Sequence, residues 1–256
     1  MAPLRKPLQG LWNVVRFNWH FYLVALGLAL GAAGLCLAGP PVARSYAGLL
    51  LGGLLAPVVA SLAVSAYVYD AAGLYRLPWL PAAAALPAHP ALLTVSAGFD
   101  EISAVLAARY AAASLLAVDF YDPARHTEVS ILRARRAYPP WPGTVPVSTH
   151  AALPLPARSI DLAVAFLAAH EIRDARERAA FFREIRRVLK PNGQVLVTEH
   201  LRDPANFLAY TIGFLHFHSR RTWLETFRAA GLRVEREVKT TPFISTFFLG
   251  HDGNAA

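Results

Sequence analysis

Leu153–His200 reads LPLPARSIDLAVAFLAAHEIRDARERAAFFREIRRVLKPNGQVLVTEH. The apolar run Ile160–Ala168 predicts a buried strand. In Ala175–Lys190, Phe181, Ile185, Val188 and Leu189 recur at helical spacing with charges between them. That pattern predicts a helix packed by one face on a sheet. Lys190-Pro191-Asn192-Gly193 predicts a turn, and Gln194–Thr198 a second buried strand ending in Glu199-His200.

Outward from this unit the same alternation continues. Apolar runs at Ala91–Ser96, Ser114–Val118, Thr144–Val147, Leu232–Val238 and Phe243–Leu249 predict further strands. Helical periodicity falls at Asp100–Tyr110, Thr127–Ala137 and Arg221–Ala230. Seven strands with helices between them imply an α/β sandwich around a mostly parallel sheet.

The N-terminal third is different. Phe21–Ala43 holds 23 residues and Ser45–Tyr69 another 25 without a charge. Each exceeds the ~20 residues that cross a bilayer core as a helix. Only Gly39–Arg44 separates them, so a two-helix transmembrane hairpin is expected at 21–73. A cleaved signal peptide is disfavoured because a second span follows at once. Gly27/Gly31 and Gly48/Gly52 place a small-residue groove on each span, a pattern that permits close helix packing.

Residues 1–20 carry Arg5, Lys6 and Arg16 and no acid, with aromatics at 12, 17 and 19, which predicts a basic, interfacial segment. The excess of positive charge puts both ends of the hairpin in the cytoplasm, with the chain integral to the plasma (inner) membrane. The net charge of +8 fits anionic lipid headgroups more simply than nucleic acid. The single cysteine, Cys36, excludes a disulfide framework within one chain. Residues 74–90 contain four prolines and predict a semi-rigid connector to a domain at 91–256.

Leu153-Pro154-Leu155, Ile160-Asp161 and Arg187-Val188-Leu189-Lys190-Pro191-Asn192-Gly193 resemble the second half of a class I S-adenosyl-L-methionine-dependent methyltransferase. The resemblance covers most of the chain after the hairpin, nearest to the quinone- and lipid-methylating members. It implies a seven-stranded Rossmann-like sheet in the order 3-2-1-4-5-7-6 with the last strand antiparallel. It also implies S-adenosyl-L-methionine as cofactor.

In such folds the first strand ends in a glycine-rich turn. Here Ser96-Ala97-Gly98-Phe99-Asp100 retains one glycine of the pattern. Asp100 has the spacing of a helix cap. The second strand ends in Asp119-Phe120, 21 residues beyond Gly98. An acid there accepts hydrogen bonds from ribose hydroxyls, and Phe120 is placed to lie against the adenine. Thr149 and His150 stand where the family carries an adenine-binding acid.

Methyl transfer is an in-line displacement, sometimes with removal of an acceptor proton. His170, Glu199 and His200, at the ends of strands four and five, are the candidate catalytic groups. Glu171, His216 and His218 are candidates to line the acceptor pocket. No recognised metal-ligand spacing joins these residues, so no metal site is expected.

The expected function is a membrane-anchored methyltransferase acting on a lipophilic acceptor: a quinone or prenylated phenol, a phospholipid or another lipid. The expected partners are the lipid bilayer and that acceptor. The competing expectation is a membrane-anchored module that keeps the fold without catalysis, motivated by the reduced glycine turn. The oligomeric state is left open.

Overall fold

The computed structural model describes residues 5–252. The first four residues of the expected interfacial segment and the last four of the expected domain therefore lie outside the described residues. Seven strands form one sheet: β1 Ala91–Ser96, β2 Ser114–Asp119, β3 Val145–Pro146, β4 Ile160–Phe166, β5 Leu189–His200, β6 Leu232–Thr241 and β7 Ile244–His251. Their order is β3-β2-β1-β4-β5-β7-β6. The first five run parallel, whereas β7 pairs antiparallel with β5 and β6. The central strands are buried on both faces, which is why β4 reads as a nearly unbroken apolar run.

Lys190–Gly193 does not form a free turn after the helix. It is extended chain within β5, accommodated by a register shift between the pairs Ile160/Leu189 and Leu162/Gln194. The irregularity tolerates Pro191, which could not donate to a regular ladder. It also brings Gly193 against β4, where an added Cβ would lie 2.8 Å from the Ile160 carbonyl oxygen.

Helices cover both faces. α6 (Ala175–Val188) and α8 (Arg220–Ala229) pack together on one side, with Phe181, Phe182, Ile185, Trp223 and Phe227 fully buried. Each begins with a capping side chain: Asp174 accepts from the Glu177 amide and Ser219 from the Thr222 amide. The opposite face is covered by α4 (Ser103–Arg109) and, unexpectedly, by the proline-rich connector. Leu74, Leu77, Trp79 and Leu80 are buried there, and Arg109 and Tyr110 donate to carbonyls of residues 77–81. That half of the connector is core, not a spacer; an apolar side chain every two or three residues outweighs the stiffness of the prolines.

Ahead of the sheet stand α1 (Gln9–Phe17), α2 (Trp19–Ala38) and α3 (Pro41–Ala66). Both α2 and α3 are long and apolar enough to cross a membrane, with only 11% and 6% of their most apolar windows buried against protein. They pack on each other. Their buried positions are Ala29, Ala32 and Ala47, with Ser65 near the end of α3. The glycine pairs expected to form the contact face away: a Cβ on Gly27, Gly31, Gly48 or Gly52 would meet nothing within 4 Å. A π-helical turn, Tyr67–Ala71, ends α3. Its Asp70 carboxylate accepts the Gly10 and Leu11 amides at 2.8 Å each, satisfying free N–H groups at the start of α1. α1 is thereby fixed across the base of the hairpin.

Candidate active site

The sheet order reverses between β1 and β4, and the carboxyl ends of these strands and their neighbours bring two groups of residues to one edge. The first group is the cofactor turn. Gly98 follows β1 in the left-handed region, φ 91°, a conformation that favours glycine. Its amide donates to Asp119 Oδ1 at 2.7 Å, and the Tyr121 amide donates to the same oxygen at 3.0 Å. The other carboxylate oxygen is held by Arg135, at 2.5 Å. Arg135 belongs to α5 (Val129–Ala137), and its guanidinium lies over the Tyr121 ring. A Cβ on Gly98 would lie 3.0–3.1 Å from Arg135, Tyr121 and Ile131, so α5 packs directly over the turn.

The donor set fits S-adenosyl-L-methionine: an acid at the end of β2 facing a left-handed glycine at the end of β1. Arg135 occupies the carboxylate oxygen of Asp119 that the resemblance would offer to ribose hydroxyls. Ser96 is buried and donates to the Val118 carbonyl at 3.3 Å, while Ala97 packs in the core. Asp100 accepts the Ile102 and Ser103 amides at 3.0 Å, fixing the start of α4.

Beside Asp119 runs a cleft of about 300 Å³ lined by Phe120, Tyr121, Asp122, His126 and residues 146–150. It contains Thr149 and His150, and one edge of Phe120. Most of the Phe120 ring is buried against Phe181, at 5.5 Å. Thr149 donates to buried Glu177, which also meets Arg125 and, at 3.5 Å, the exposed His150. Glu177 and Arg125 went unnoticed in the sequence because α6 reads as an ordinary charged surface helix; only the fold turns Glu177 toward the cleft.

The second group lies at the ends of β4 and β5. After Phe166, Leu167 adopts φ 50° and reverses the chain into a 3-10 turn, Ala169–Glu171. Leucine, not branched at Cβ, adopts this left-handed conformation at a modest cost, and such strain is concentrated at functional sites. The turn places His170 Nδ1 2.7 Å from Glu199 Oε2, and the His170 amide 3.2 Å from Glu199 Oε1. Glu199 is fully buried. His170 Nε2 faces Glu171 Oε1 at 3.4 Å, and Glu171 meets His216 Nε2 at 3.1 Å.

Burial alone would lower the pKa of His170, but the charge and hydrogen bonds of Glu199 and Glu171 outweigh it, raising it to about 10. Burial also opposes ionisation of Glu171, yet its bonds to His170 and His216 hold it well below the usual carboxylate range. His216 is likewise depressed by burial and, more strongly, raised by Glu128 and Glu171.

His170, Glu171 and His216 offer donor atoms within 4.8 Å of one another. Arg173 lies against this group, 2.8 Å from His216 Nε2 and 3.9 Å from Glu171 Oε2. A guanidinium thus already supplies positive charge where a cation would bind.

The two other histidines point elsewhere. Asn206 Nδ2 donates to Asp203 and to the Phe243 carbonyl, so its oxygen accepts from His200 Nδ1 at 2.9 Å. His200 Nε2 then accepts from Tyr69 at 2.9 Å. Burial pushes its pKa down to about 4, so this neutral ring latches β5 to the turn below α3. His218 Nε2 faces Arg178 Nη1 at 3.0 Å, and burial with that neighbouring charge pushes it down to about 3. The structure therefore brings together His170, Glu171, Glu199 and His216, and directs both nitrogens of His200 and the Nε2 of His218 to structural partners.

Residues 93–197 match a family model described as a methyltransferase domain. No curated protein sequence matches the chain. Among solved structures, the chain is similar to the mitomycin 7-O-methyltransferase MmcR, with a TM-score of 0.53 and 14% identity over 97% of this chain and 74% of that one. It is also similar to a SAM-dependent methyltransferase from Aquifex aeolicus (TM-score 0.45, 16% identity, 62% and 81% covered). A third is the geranyl diphosphate C-methyltransferase from Streptomyces coelicolor A3(2), solved with Mg2+, geranyl diphosphate and S-adenosyl-L-homocysteine (TM-score 0.47, 12% identity, 65% and 74% covered). At 14% identity the similarity to MmcR speaks to fold alone, and the sheet order agrees with it. Residues 93–197 thus match a methyltransferase domain, and the seven-stranded sheet has the order that the resemblance of the sequence to class I methyltransferases implied.

Proposed function

We propose that this protein is a membrane-anchored O-methyltransferase whose acceptor is a lipophilic hydroxyl compound, such as a quinol or prenylated phenol. The observation that carries this reading is the His170–Glu199 pair at the end of β4. A neutral amine is nucleophilic enough to attack before it loses a proton and needs no base in advance. A hydroxyl must lose its proton during or before transfer, and a histidine backed by a buried carboxylate is built to take it.

When bound, S-adenosyl-L-methionine supplies an electrophilic methyl group on a sulfonium centre. The chain's own residues do the rest. Asp119 would hold the ribose hydroxyls in place of Arg135, and Thr149 and His150 line the adjoining cleft. An acceptor hydroxyl takes the position that Glu171 holds beside His170 Nε2, and the neutral imidazole accepts its proton. Glu199 keeps Nδ1 protonated and stabilises the imidazolium that forms. The cofactor would supply the methyl group to that oxygen, its sulfonium sulfur taking up the electron pair of the S–C bond, while His170 holds the proton. MmcR, to which the chain is similar in fold, is a mitomycin 7-O-methyltransferase, which is consistent with this reading.

The lipophilic acceptor and the membrane rest on α2 and α3. Their apolar surfaces are almost wholly uncovered, and a soluble protein would leave that area in water at roughly 25 cal/mol per Å². With both ends of the hairpin cytoplasmic, the site faces the compartment that holds the cofactor, beside the inner leaflet. Lipid extracts from cells with and without the gene test the reading. It predicts pairs of lipophilic species differing by one methylene mass, the heavier member absent from the deletion strain. Unchanged lipids with an altered water-soluble metabolite would overturn it.

A further inference from the structure

Among the described residues beyond the hairpin, exposed large apolar side chains fall in two places. After residue 76, the large apolar residues exposed among those described are Val129 and Leu132 on α5, and Phe207, Leu208, Ile212 and Leu215. The last four belong to α7 (Pro204–Tyr210) and the 3-10 turn Thr211–His216 that follows. They are exposed by 48%, 72%, 81% and 54%, and no residue of the 3-10 turn is buried.

The segment is held out deliberately. Asp203 caps α7 through the Asn206 amide, at 3.0 Å. Thr211 takes φ 51° to turn the chain, and Arg202 clamps the returning strand by donating to the Leu215 and Phe217 carbonyls at 2.6 and 2.9 Å. A collapsed core would have folded these side chains inward; instead they form a rigid apolar knuckle.

Its location says what covers it. α7 packs against α3, the second hairpin helix, and its Tyr210 lies beside Ser65 near the C-terminal end of α3. Tyr69, in the turn that ends α3, bonds to His200 directly beneath. The other exposed pair, Val129 and Leu132, sits on α5, which packs on α1, and α1 packs in turn on α3. Every exposed large apolar side chain of the domain is therefore on an element adjoining the hairpin base or one step removed from it. The knuckle continues the lipid-facing surface of the hairpin.

We propose that α7 and the Thr211–His216 turn form a third membrane contact, seated at the headgroup–acyl boundary of the bilayer beside the hairpin. The occupant is the lipid surface itself. This inference rests on the hairpin being inserted. Behind the knuckle, Tyr210 and Phe217 lie 5.9 Å apart, and Phe217 stands 6.1 Å from the His170 ring. The knuckle thus brings an aromatic wall of the acceptor end to the membrane surface.

The single native cysteine makes the test direct. In a Cys36→Ser background, the full chain is labelled with an environment-sensitive fluorophore at Leu208→Cys or Ile212→Cys. Leu50→Cys in α3 serves as the membrane reference and Arg221→Cys on α8 as the aqueous one. The proteins are reconstituted into phosphatidylcholine/phosphatidylglycerol vesicles with and without lipids carrying a shallow spin label. We expect blue-shifted emission and at least two-fold stronger quenching at 208 and 212 than at 221. Quenching at 208 and 212 equal to that at 221, with position 50 strongly quenched, would overturn the third contact and leave the hairpin standing. Position 50 unquenched as well would overturn the membrane reading and this inference together.

Discussion

The cofactor turn and the acceptor end lie on the same sheet edge and are built on opposite plans. At the acceptor end the important charge is buried: Glu199 is sealed beneath His170, and the left-handed Leu167 aims the imidazole outward. At the cofactor turn the important charge is neutralised from outside, because a partly exposed arginine from α5 holds Asp119. On the proposed reading His170 keeps its buried partner Glu199 throughout, whereas Asp119 must give up Arg135 to the cofactor. The difference teaches where each kind of mutation will register, in the chemical step or in cofactor affinity.

The largest expected effect breaks the acceptor end. His170→Ala should lower kcat by about 10²- to 10⁴-fold, the range a positioned base contributes. Its affinity for S-adenosyl-L-homocysteine, measured by calorimetry, should stay within a few-fold of wild type. A comparable loss of cofactor affinity would show that the two regions are not separate.

Next in size, Asp119→Asn should weaken S-adenosyl-L-homocysteine by roughly 10- to 100-fold, since hydrogen bonds to a charged group contribute about 1.5–3 kcal/mol. Titration calorimetry reads this without any acceptor. Arg135→Ala should act in the opposite direction and more weakly. A pair whose arginine is about a third exposed contributes on the order of 1 kcal/mol, so the ligand should bind up to about five-fold tighter. If Arg135→Ala binds more weakly, Arg135 is a ligand contact and not a competitor.

The smallest effect is a displacement of the pH profile. Glu171 and Glu199 raise the His170 pKa, and the base acts only when neutral, so kcat/KM should climb with pH on the alkaline side of an ordinary histidine. Glu171→Gln removes one of the charges that raise it, so the rising limb should move to lower pH. A limb that stays in place would assign the proton to another group.

The same contrast explains what the sequence could disclose. His170 and Glu199 were legible because strand ends follow from apolar runs, and parallel sheets place their ligands at those ends. Asp119 was legible by its distance from Gly98. Arg135 was not, because α5 reads as a solvated basic helix, and only its packing against α1 lays it over the turn. His200 looked equivalent to His170 in sequence. They differ because the Tyr69 turn and Asn206 close around His200, contacts made 131 and 6 residues away. The exposure of Phe207, Leu208, Ile212 and Leu215 is not legible in the sequence, since exposure is a property of the fold and not of the residues.

The central claim is that this domain transfers a methyl group to a hydroxyl compound drawn from the bilayer. Full-length protein reconstituted in vesicles made with extracted native lipids, and supplied with methyl-labelled S-adenosyl-L-methionine, tests it most directly. The account predicts label in the organic phase, in an alkali-stable ether-linked species, and its loss in His170→Ala. Label confined to the aqueous phase, or none while the cofactor still binds, would contradict it.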